Sequence, residues 1–423
     1  MSHSLTRYGS ALGFTLTVMC GSVRSQVWEV FDMAASGFPS DNVTDIVQDS
    51  HGIIWAATSW GLCRYDGADW TVYQSGSSGL PDNVIRALAI DSLDRLWIGT
   101  QLHGVVVYDG IDWSAFDTDN SPLPDNEINS LAVDYRGWAW IGTYLGLVCY
   151  TGDEWRFYNT SDTSYSGLQL NGNTVLHASV RPDGLVALGT LNGGFHYITD
   201  TSVTVHATYI DQFPDNTQNE SAFDLANNER WVATPSQGLL RQGGGWYEGP
   251  WFQYTTGNSL LPSNAVNCVR VDGQSRVWLG TLLAGLAVRR PDGSFTNYTS
   301  TNSGLPDNTV QCVMVAADGS IWAGTAYGGL ARLSFPENIP ETFGPRFNLY
   351  PNPCREQVFC DRQGTSVPGR WLILDPSGRV VGEGGIPGAV VTEIPLEGLA
   401  PGCYTFVVTD QYTREARKLW ILP

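Results

Sequence analysis

The sequence predicts an all-β protein whose main part is a seven-bladed β-propeller. Three observations carry this prediction. A Trp-x-Gly-Thr motif recurs with a period of roughly 42 to 48 residues. Each period holds four short apolar runs separated by turn residues, which is a strand signal. The seventh period lacks its fourth run, and a matching run stands at the start of the array. Four antiparallel strands per repeat make one propeller blade.

The Trp-x-Gly-Thr motif is assigned to the second strand of each blade. The fourth copy has lost its Trp, and Ala57 and Ala233 replace the Gly in the first and fifth copies. The first position of the motif is occupied by Trp55, Trp97, Trp140, Ala187, Trp231, Trp278 and Trp322. Large aromatic side chains at a repeated strand position predict packing between neighbouring blades.

A Pro-Asp-Asn motif precedes the first strand of most copies. Its Asn series is Asn42, Asn83, Asn126, Asn173, Asn216, Asn264 and Asn308. Asn side chains in loops commonly accept hydrogen bonds from nearby backbone amides, so we interpret this series as structural. The Asp-x-x-Gly turn before each Trp is interpreted in the same way, as an element of the fold and not of an active site.

The two ends of the array favour a closed ring over an open solenoid. The seventh copy stops at Leu333-Ser334-Phe335 without an outer strand, whereas Trp28-Glu29-Val30-Phe31 matches the outer run Trp70-Thr71-Val72-Tyr73. Open solenoids cap their ends and need no such exchange. We therefore expect the N-terminal strand to complete the last blade of a propeller spanning residues 26–335.

These motifs resemble the two-component regulator propeller repeat through its Asp-x-x-Gly-x-x-Trp-x-Gly-Thr core. The resemblance covers roughly residues 26–335, with six clear copies of seven. In that family the propeller is usually the periplasmic sensing half of a membrane histidine kinase. No apolar run of about 20 residues and no kinase segment follows the array here, so we expect the propeller without a membrane span.

Residues 1–25 are expected to be a secretory signal. Arg7 precedes the apolar stretch Ala11–Val18, and Val23-Arg24-Ser25 offers a cleavage site before Gln26. The prolines of residues 336–346 mark a linker. The mature protein is therefore expected to leave the cytoplasm.

Residues 347–423 resemble the type A C-terminal sorting domain of the type IX secretion system. The motifs that carry the resemblance are Phe347–Pro353, Trp371–Arg379, Leu399–Tyr404 and Lys418-Leu419. The resemblance implies a small Ig-like β-sandwich that engages the type IX secretion machinery. It also implies a protein that is secreted or held at the outer-membrane surface after passing through the periplasm.

Composition excludes several classes of function. A net charge of −19 opposes binding to nucleic acid. Catalytic and phosphate-binding motifs are missing, and the histidines show no metal-ligand spacing, so no catalytic residue, metal or cofactor is predicted. We expect a monomer. Cys268 and Cys312 occupy equivalent positions in adjacent blades, either as a bridge or, more in keeping with buried strands, as two free thiols. Among Cys354, Cys360 and Cys403 one bridge could form.

The residues that break the repeat are the candidate ligand site. Strand directions alternate within a blade, so the loop before the first strand and the turn after the Thr share one face at the channel mouth. The turn residues differ from copy to copy, and aromatic and amide side chains there suit ligand recognition. The predicted ligand-binding residues in these turns are Trp60, His103, Tyr144, Asn192, Gln237 and Tyr327. Arg86, three residues past its entry Asn, is expected to point to the same mouth.

Two functions remain open from the sequence. The first is a non-enzymatic propeller that binds a glycan, peptide or surface partner at the channel mouth. The second is a polysaccharide-active hydrolase or lyase, which would need carboxylates converging at the mouth. The mouth loops carry few carboxylates in the turns that follow the Thr, which favours the first.

Overall fold

Two units make up the chain, Met1–Phe335 and Pro336–Pro423. The computed structural model describes residues 26–161, 169–199, 202–208, 213–243, 249–335, 348–350, 352, 354–355, 357–361, 369–375, 380–386, 391–396, 398–410 and 414–422. The predicted signal (1–25) and linker (336–346) lie outside the described residues.

Seven four-stranded antiparallel sheets form the first unit, and each sheet is one blade. Blades one and two comprise β2 (Val43–Gln48), β3 (Ile54–Thr58), β4 (Gly61–Tyr65), β5 (Trp70–Tyr73), β6 (Ile85–Ile90), β7 (Leu96–Thr100), β8 (Val105–Tyr108) and β9 (Trp113–Phe116). Blades three and four comprise β10 (Ile128–Val133), β11 (Ala139–Thr143), β12 (Gly146–Tyr150), β13 (Trp155–Tyr158), β14 (Val175–Val180), β15 (Val186–Thr190), β16 (Phe195–Ile198) and β17 (Val203–His206).

The remaining blades repeat this order, except that the seventh draws its outer strand from the N-terminus. Blades five and six comprise β18 (Glu220–Asp224), β19 (Glu229–Ala233), β20 (Leu239–Gln242), β21 (Trp251–Tyr254), β22 (Val266–Val271), β23 (Val277–Thr281), β24 (Leu286–Arg289) and β25 (Phe295–Tyr298). Blade seven comprises β26 (Val310–Val315), β27 (Ile321–Thr325), β28 (Leu330–Ser334) and β1 (Val27–Phe31). The first strand of each blade contacts that of the next, and β26 contacts β2, so the ring is closed.

The N-terminal strand closes the ring as predicted. β1 pairs antiparallel with β28, from Val27 opposite Ser334 to Phe31 opposite Leu330. The Phe31 ring stacks on Trp322 with 5.7 Å between ring centroids, and Trp28 meets Tyr298 edge-on at 5.6 Å. The strand therefore contributes both backbone pairing and aromatic packing to blade seven.

The turn before each Trp is a structural element, which confirms its sequence interpretation. The Asp91 carboxylate accepts hydrogen bonds from the amides of Leu93 and Arg95 at 2.9 Å, within its own turn. The Trp97 Nε1–H donates to the same carboxylate at 3.1 Å. The Asp thus ties the turn to the buried indole of the second strand, and its oxygens are already engaged.

The Gly of the Trp-x-Gly-Thr motif marks where neighbouring blades approach most closely. A Cβ built at Gly324 would lie 2.8 Å from Cγ1 of Val43 in the next blade and would also clash with the Cys312 sulfur. Real Cβ atoms do not approach so closely, so a larger residue here would overpack the interface. Cys312 and Cys268 are buried free thiols, as the sequence favoured.

The second unit is a small β-sandwich. One sheet has the order β29 (Asn348–Tyr350), β30 (Gln357–Asp361), β33 (Val391–Pro395). The other has the order β32 (Val380–Ile386), β31 (Gly369–Leu374), β34 (Gly402–Asp410), β35 (Arg414–Ile421). Apolar side chains from both sheets, such as Val358 and Phe406, share one buried core.

Candidate functional site

One face of the propeller carries both the loops that enter the first strands and the turns that join second to third strands. We call it the entry face. The two kinds of loop are hydrogen-bonded to each other, as in Gln101 N–H to Val84 O at 3.0 Å and Ala326 N–H to Thr309 O at 3.0 Å. Bonds also cross between blades, as in Gly329 N–H to Asp41 O at 2.9 Å. Hydrogen bonds therefore tie the loops of the entry face to one another, both within a blade and between blades.

The entry Asn residues hold this ring from within. Asn83 Oδ1 accepts the Ser75 amide at 2.8 Å. Asn308 Oδ1 accepts the Ser300 amide at 2.9 Å, which confirms the structural interpretation of the series. Blade one departs from the predicted register, because Asp41 plays this role by accepting the Met33 amide at 2.8 Å. The assignment of Asn42 to the series was therefore wrong by one residue.

The turns of the entry face expose large apolar side chains to solvent. Tyr327 is 78% exposed and Trp60 is 57% exposed. We call the set the crown; it consists of Trp60, Leu102, Tyr144, Leu145, Leu191, Leu282, Leu283 and Tyr327. Six of the seven blades contribute to it, and blade five, with Pro235-Ser236-Gln237, is the polar exception. Clustered exposed apolar side chains on one face of a protein indicate an interaction surface.

Three predicted ligand-binding residues, Trp60, Tyr144 and Tyr327, belong to the crown, and three more lie in the same turns. His103 is about half exposed, with Nδ1 3.5 Å from the Asp82 carboxylate. Asn192 adopts the left-handed backbone region (φ 63°) and is exposed. Gln237 Oε1 lies 3.3 Å from the Gln253 amide nitrogen. These six side chains reach solvent on one face.

Arg86, the seventh predicted residue, lies in β6 and not in a turn. One guanidinium nitrogen is 2.6 Å from the Glu127 carboxylate, and another donates to Asn129 Oδ1 at 3.2 Å. Both partners belong to the next blade. The structure therefore gives the Arg86 side chain an inter-blade role along the channel.

Arg86 is one member of a ring of bonds that joins the inner strands. In six blades this position follows the first residue of the first strand, where a bulge shifts the register; in blade five it is Asn219, directly before β18. The equivalent bonds are Thr44 Oγ1 to Ile85 O at 2.7 Å, Asn129 Nδ2 to Val175 O at 3.1 Å, Asn219 Nδ2 to Val266 O at 2.8 Å, Asn267 Nδ2 to Val310 O at 2.9 Å and Gln311 Nε2 to Asn42 Oδ1 at 3.0 Å. Blade four has Leu176 at this position. These bonds stabilise the channel wall.

Sequence reasoning missed a cluster of ionisable side chains on the same inner strands. The cluster consists of Asp45, His177, Glu220 and Arg270. Asp45 Oδ2 accepts the Leu88 amide of the next blade at 2.8 Å, and Glu220 Oε2 accepts the Val269 amide at 2.7 Å in the equivalent way. Both carboxylates therefore satisfy backbone donors that the bulged neighbouring strand presents.

The charges of this cluster are coupled across the channel. Arg270 forms an ion pair with Glu220, and its charge also acts on Asp45. Burial raises the pKa of the Asp45 carboxyl to about 6, against the opposing effects of Leu88 N–H and Arg270. Burial lowers the pKa of the His177 imidazole to about 4, although Glu220 acts in the other direction. At neutral pH the histidine is neutral and Arg270 is the positive charge of the cluster.

A departure from the repeat could have revealed these carboxylates. Ala57 and Ala233 are the two alanines that replace the motif Gly, and they lie directly opposite Asp45 and Glu220. The replacement of Gly by Ala and the inner-strand carboxylate therefore occur together, in blades one and five. Reading the two repeat positions together would have singled out this pair.

Two surface cavities lie away from the crown. One of about 480 Å³ is lined by Trp278, Arg276 and Phe335, and one of about 250 Å³ by Trp97 and Arg95. Both are grooves between neighbouring blades near the opposite face, which carries the remaining turns. Within the described ranges no group of ligating side chains could hold a metal ion. Nor does any helix in the described part of the chain have the length and hydropathy to cross a membrane.

Comparison with known proteins agrees with this fold. The profile of the two component regulator propeller family matches residues 37–60, 79–101, 122–145 and 304–327. Each match runs from an entry loop to a second-to-third-strand turn, so it covers the part of the blade that builds the entry face. A sequence search of curated proteins gives no match.

Solved propeller structures resemble the chain at low identity. One is PorZ, a surface component of the type IX secretion system of Porphyromonas gingivalis, with TM-score 0.57 and 18% identity over 92% of this chain. Another is the extracellular domain of BT3049 from B. thetaiotaomicron, named as a hybrid two component system, with TM-score 0.63 and 18% identity over 94% of this chain. The chain spans only 60% and 57% of their lengths.

An enzyme shares the fold as well. Virginiamycin B lyase from Staphylococcus aureus matches with TM-score 0.58 and 10% identity, over 73% of this chain and 99% of that one. At such identities each likeness concerns the propeller architecture alone. Function therefore has to be argued from the surface of this chain.

Proposed function

We propose that this propeller is a non-enzymatic binding module of the cell exterior that holds a glycan, peptide or surface partner on its entry face. The observation that carries the proposal is the crown. Its side chains occupy the positions where the repeat stops repeating, and Tyr327 and Trp60 expose large aromatic surfaces to solvent. Exposed aromatics on a rigid ring of loops can stack on a ligand with little loss of conformational entropy.

Binding without catalysis is favoured by the state of the acidic groups inside the channel. Asp45 and Glu220, the carboxylates of the channel cluster, already accept backbone amides of the next blade. Glu220 is further neutralised by Arg270. A glycosidase or lyase needs carboxyl groups that are available to protonate or deprotonate the substrate. A polysaccharide-active enzyme remains the alternative, because the loops of the entry face carry further carboxylates such as Asp82 and Asp307, and activity on any bound glycan would favour it.

Truncating crown aromatics is expected to weaken ligand binding and leave the fold intact. Trp60→Ala and Tyr327→Ala should each cost roughly 2 kcal/mol or more of binding free energy if they are hot spots. The melting temperature should barely change, because exposed loop side chains bury little area. Binding is measured on glycan and peptide arrays with the full chain, followed by titration of the strongest ligands.

Tyr135 provides the matched control. It is a 64% exposed tyrosine on the opposite face. Tyr135→Ala should leave affinity unchanged if the entry face is the working surface. Equal losses for Tyr135→Ala and Tyr327→Ala, or no loss for either crown variant, would contradict the proposal. An array hit that the protein cleaves would move the assignment to the enzyme alternative.

The C-terminal β-sandwich is proposed to direct export by the type IX secretion machinery. The support is the sorting-domain resemblance of residues 347–423, together with a fold that forms its own core. Removing residues 347–423 should abolish appearance of the protein in the culture medium or on the surface of a type IX-competent host. The propeller should then accumulate in the periplasm in a protease-resistant form. Undiminished secretion of the shortened chain would refute this role.

A further inference from the structure

The loops of the entry face carry negative charge without matching positive charge. Their carboxylates are Asp32, Asp41, Asp82, Asp117, Asp119, Asp125, Glu127, Asp215 and Asp307. In the described residues of these loops there is no Lys or Arg. Arg86, which approaches from β6, forms an ion pair with Glu127. The surface around the crown is therefore strongly acidic at neutral pH.

The opposite face is acidic as well, but its turns carry charges of both signs. Some hold an arginine that is paired within the turn, as in Arg95 with Asp91 at 2.7 Å and Arg136 with Asp134 at 2.7 Å. Others hold carboxylates and no Lys or Arg, as in the turn of Asp109 and Asp112. What the entry face adds is the crown, whose apolar side chains stand among carboxylates in loops that contain no Lys or Arg in their described residues.

Carboxylates and crown side chains are interleaved on the entry face. Asp307 Oδ2 accepts the backbone amide of Tyr327 at 3.2 Å. Asp82 Oδ2 accepts the amide of Leu102 at 3.1 Å. These amide bonds hold each carboxylate beside an exposed apolar side chain, and they do not cancel its charge. A ligand that covers the crown must therefore contact apolar surface and negative charge together.

Charge complementarity selects among the ligand classes. An anionic glycan such as a polyuronate would be repelled by these carboxylates, and a neutral glycan would gain nothing from them. Lys and Arg side chains would be attracted, and their charged heads can also lie over Trp60 and Tyr327 as cation–π partners. Apolar side chains between them would cover Leu102, Leu282 and Leu283.

We propose that the entry face binds a cationic, amphipathic peptide segment of a partner protein. The inference rests on the proposed function, because it names the ligand class of the same surface. The peptide's apolar side chains pack on the crown, and its Lys and Arg side chains meet the interleaved carboxylates. The attraction extends over about 8 Å at physiological ionic strength and is screened by added salt.

The test compares defined probes on the full chain. They are a short peptide of alternating Lys and Leu, its Glu–Leu counterpart and a polyuronate oligosaccharide, each followed by fluorescence anisotropy. The Lys–Leu peptide should bind, with an affinity that falls roughly tenfold or more from low to high salt. Asp119→Lys on the entry face should weaken it roughly threefold or more, since it replaces an attraction by a repulsion.

Matched variants separate the possible outcomes. Asp69→Lys alters an exposed carboxylate on the opposite face and should leave peptide affinity unchanged. Failure of the Lys–Leu peptide to bind, or equal effects of Asp69→Lys and Asp119→Lys, would overturn the inference. If the polyuronate binds more tightly than the Lys–Leu peptide and this binding is lost in Tyr327→Ala, the cationic ligand class is wrong. The entry face would then still be the binding surface. Binding of any probe that ignores Tyr327→Ala and Trp60→Ala would overturn both proposals.

Discussion

Removing the N-terminal strand, residues 26–32, is expected to destabilise the propeller by about 5 kcal/mol or more. The deletion exposes the pairing edge of β28 and removes two aromatic side chains, Trp28 and Phe31, from the seventh blade. Truncating a fully buried aromatic costs about 3–5 kcal/mol. Trp28 and Phe31 are half-buried, so each contributes less than that, but their combined loss still lowers the free energy of unfolding substantially. Thermal unfolding followed by tryptophan fluorescence should show a melting temperature lower by several degrees.

Single substitutions within β1 distinguish the contribution of aromatic packing from the effect of changing any residue of this strand. Trp28→Ala should lower stability by about 2 to 3 kcal/mol, because its indole contacts Tyr298 and covers Gly304. Glu29→Ala is the control: Glu29 forms an exposed ion pair with Arg332 at 3.0 Å, and its loss should cost under about 1 kcal/mol. An unchanged melting curve after the deletion would mean that the ring does not depend on this strand.

Replacing Arg270 by Met is expected to cost about 3 kcal/mol in unfolding free energy. The substitution keeps the bulk of the side chain and leaves Glu220, which is 9% exposed, without its cation in the channel. Breaking a buried ion pair from one side is strongly destabilising, because the remaining charge stays desolvated. Chemical unfolding of the full chain measures the loss.

The loss should depend on pH and on the partner carboxylate. The pKa of Asp45 is about 6 in the folded protein against 3.8 as the ordinary value, so the native state loses stability as pH rises through this window. Arg270 lowers that pKa, and without it the fall continues to higher pH. The difference in unfolding free energy between wild type and Arg270→Met should therefore widen from pH 6 to 8.

A double variant tests the role of the partner carboxylate. Glu220→Gln combined with Arg270→Met should recover part of the stability lost in Arg270→Met alone. Equal losses in the single and double variants would contradict the assignment of the loss to the broken ion pair.

Blade number, strand order and ring closure could all be predicted from the sequence because each depends on a short sequence motif. The Trp-x-Gly-Thr motif marks the second strand of each blade, and the run Trp28–Phe31 supplies the strand that the seventh copy lacks. The exposed turn positions followed from strand alternation, which is why Trp60 and Tyr327 lie on one face. Because the motifs repeat, both the fold and the variable turns of the entry face can be predicted from the sequence.

Contacts that link different blades were much harder to foresee. Arg86 was placed at the mouth by its distance from the entry Asn, but its ion pair with Glu127 in the entry loop of the next blade was not foreseen. The cluster of Glu220 and Arg270 joins residues of blades five and six, and Asp45 faces them from blade one. Only the closed ring brings these positions together.

The central claim is that the entry face is the surface that binds. Hydrogen–deuterium exchange of the full chain, with and without the strongest ligand from the array screen, tests it most directly. We expect slower exchange in the turns 59–60, 101–103, 282–284 and 326–328, and unchanged exchange in the turns of the opposite face. Slower exchange confined to the opposite face, or to the grooves beside Trp278 and Trp97, would contradict it.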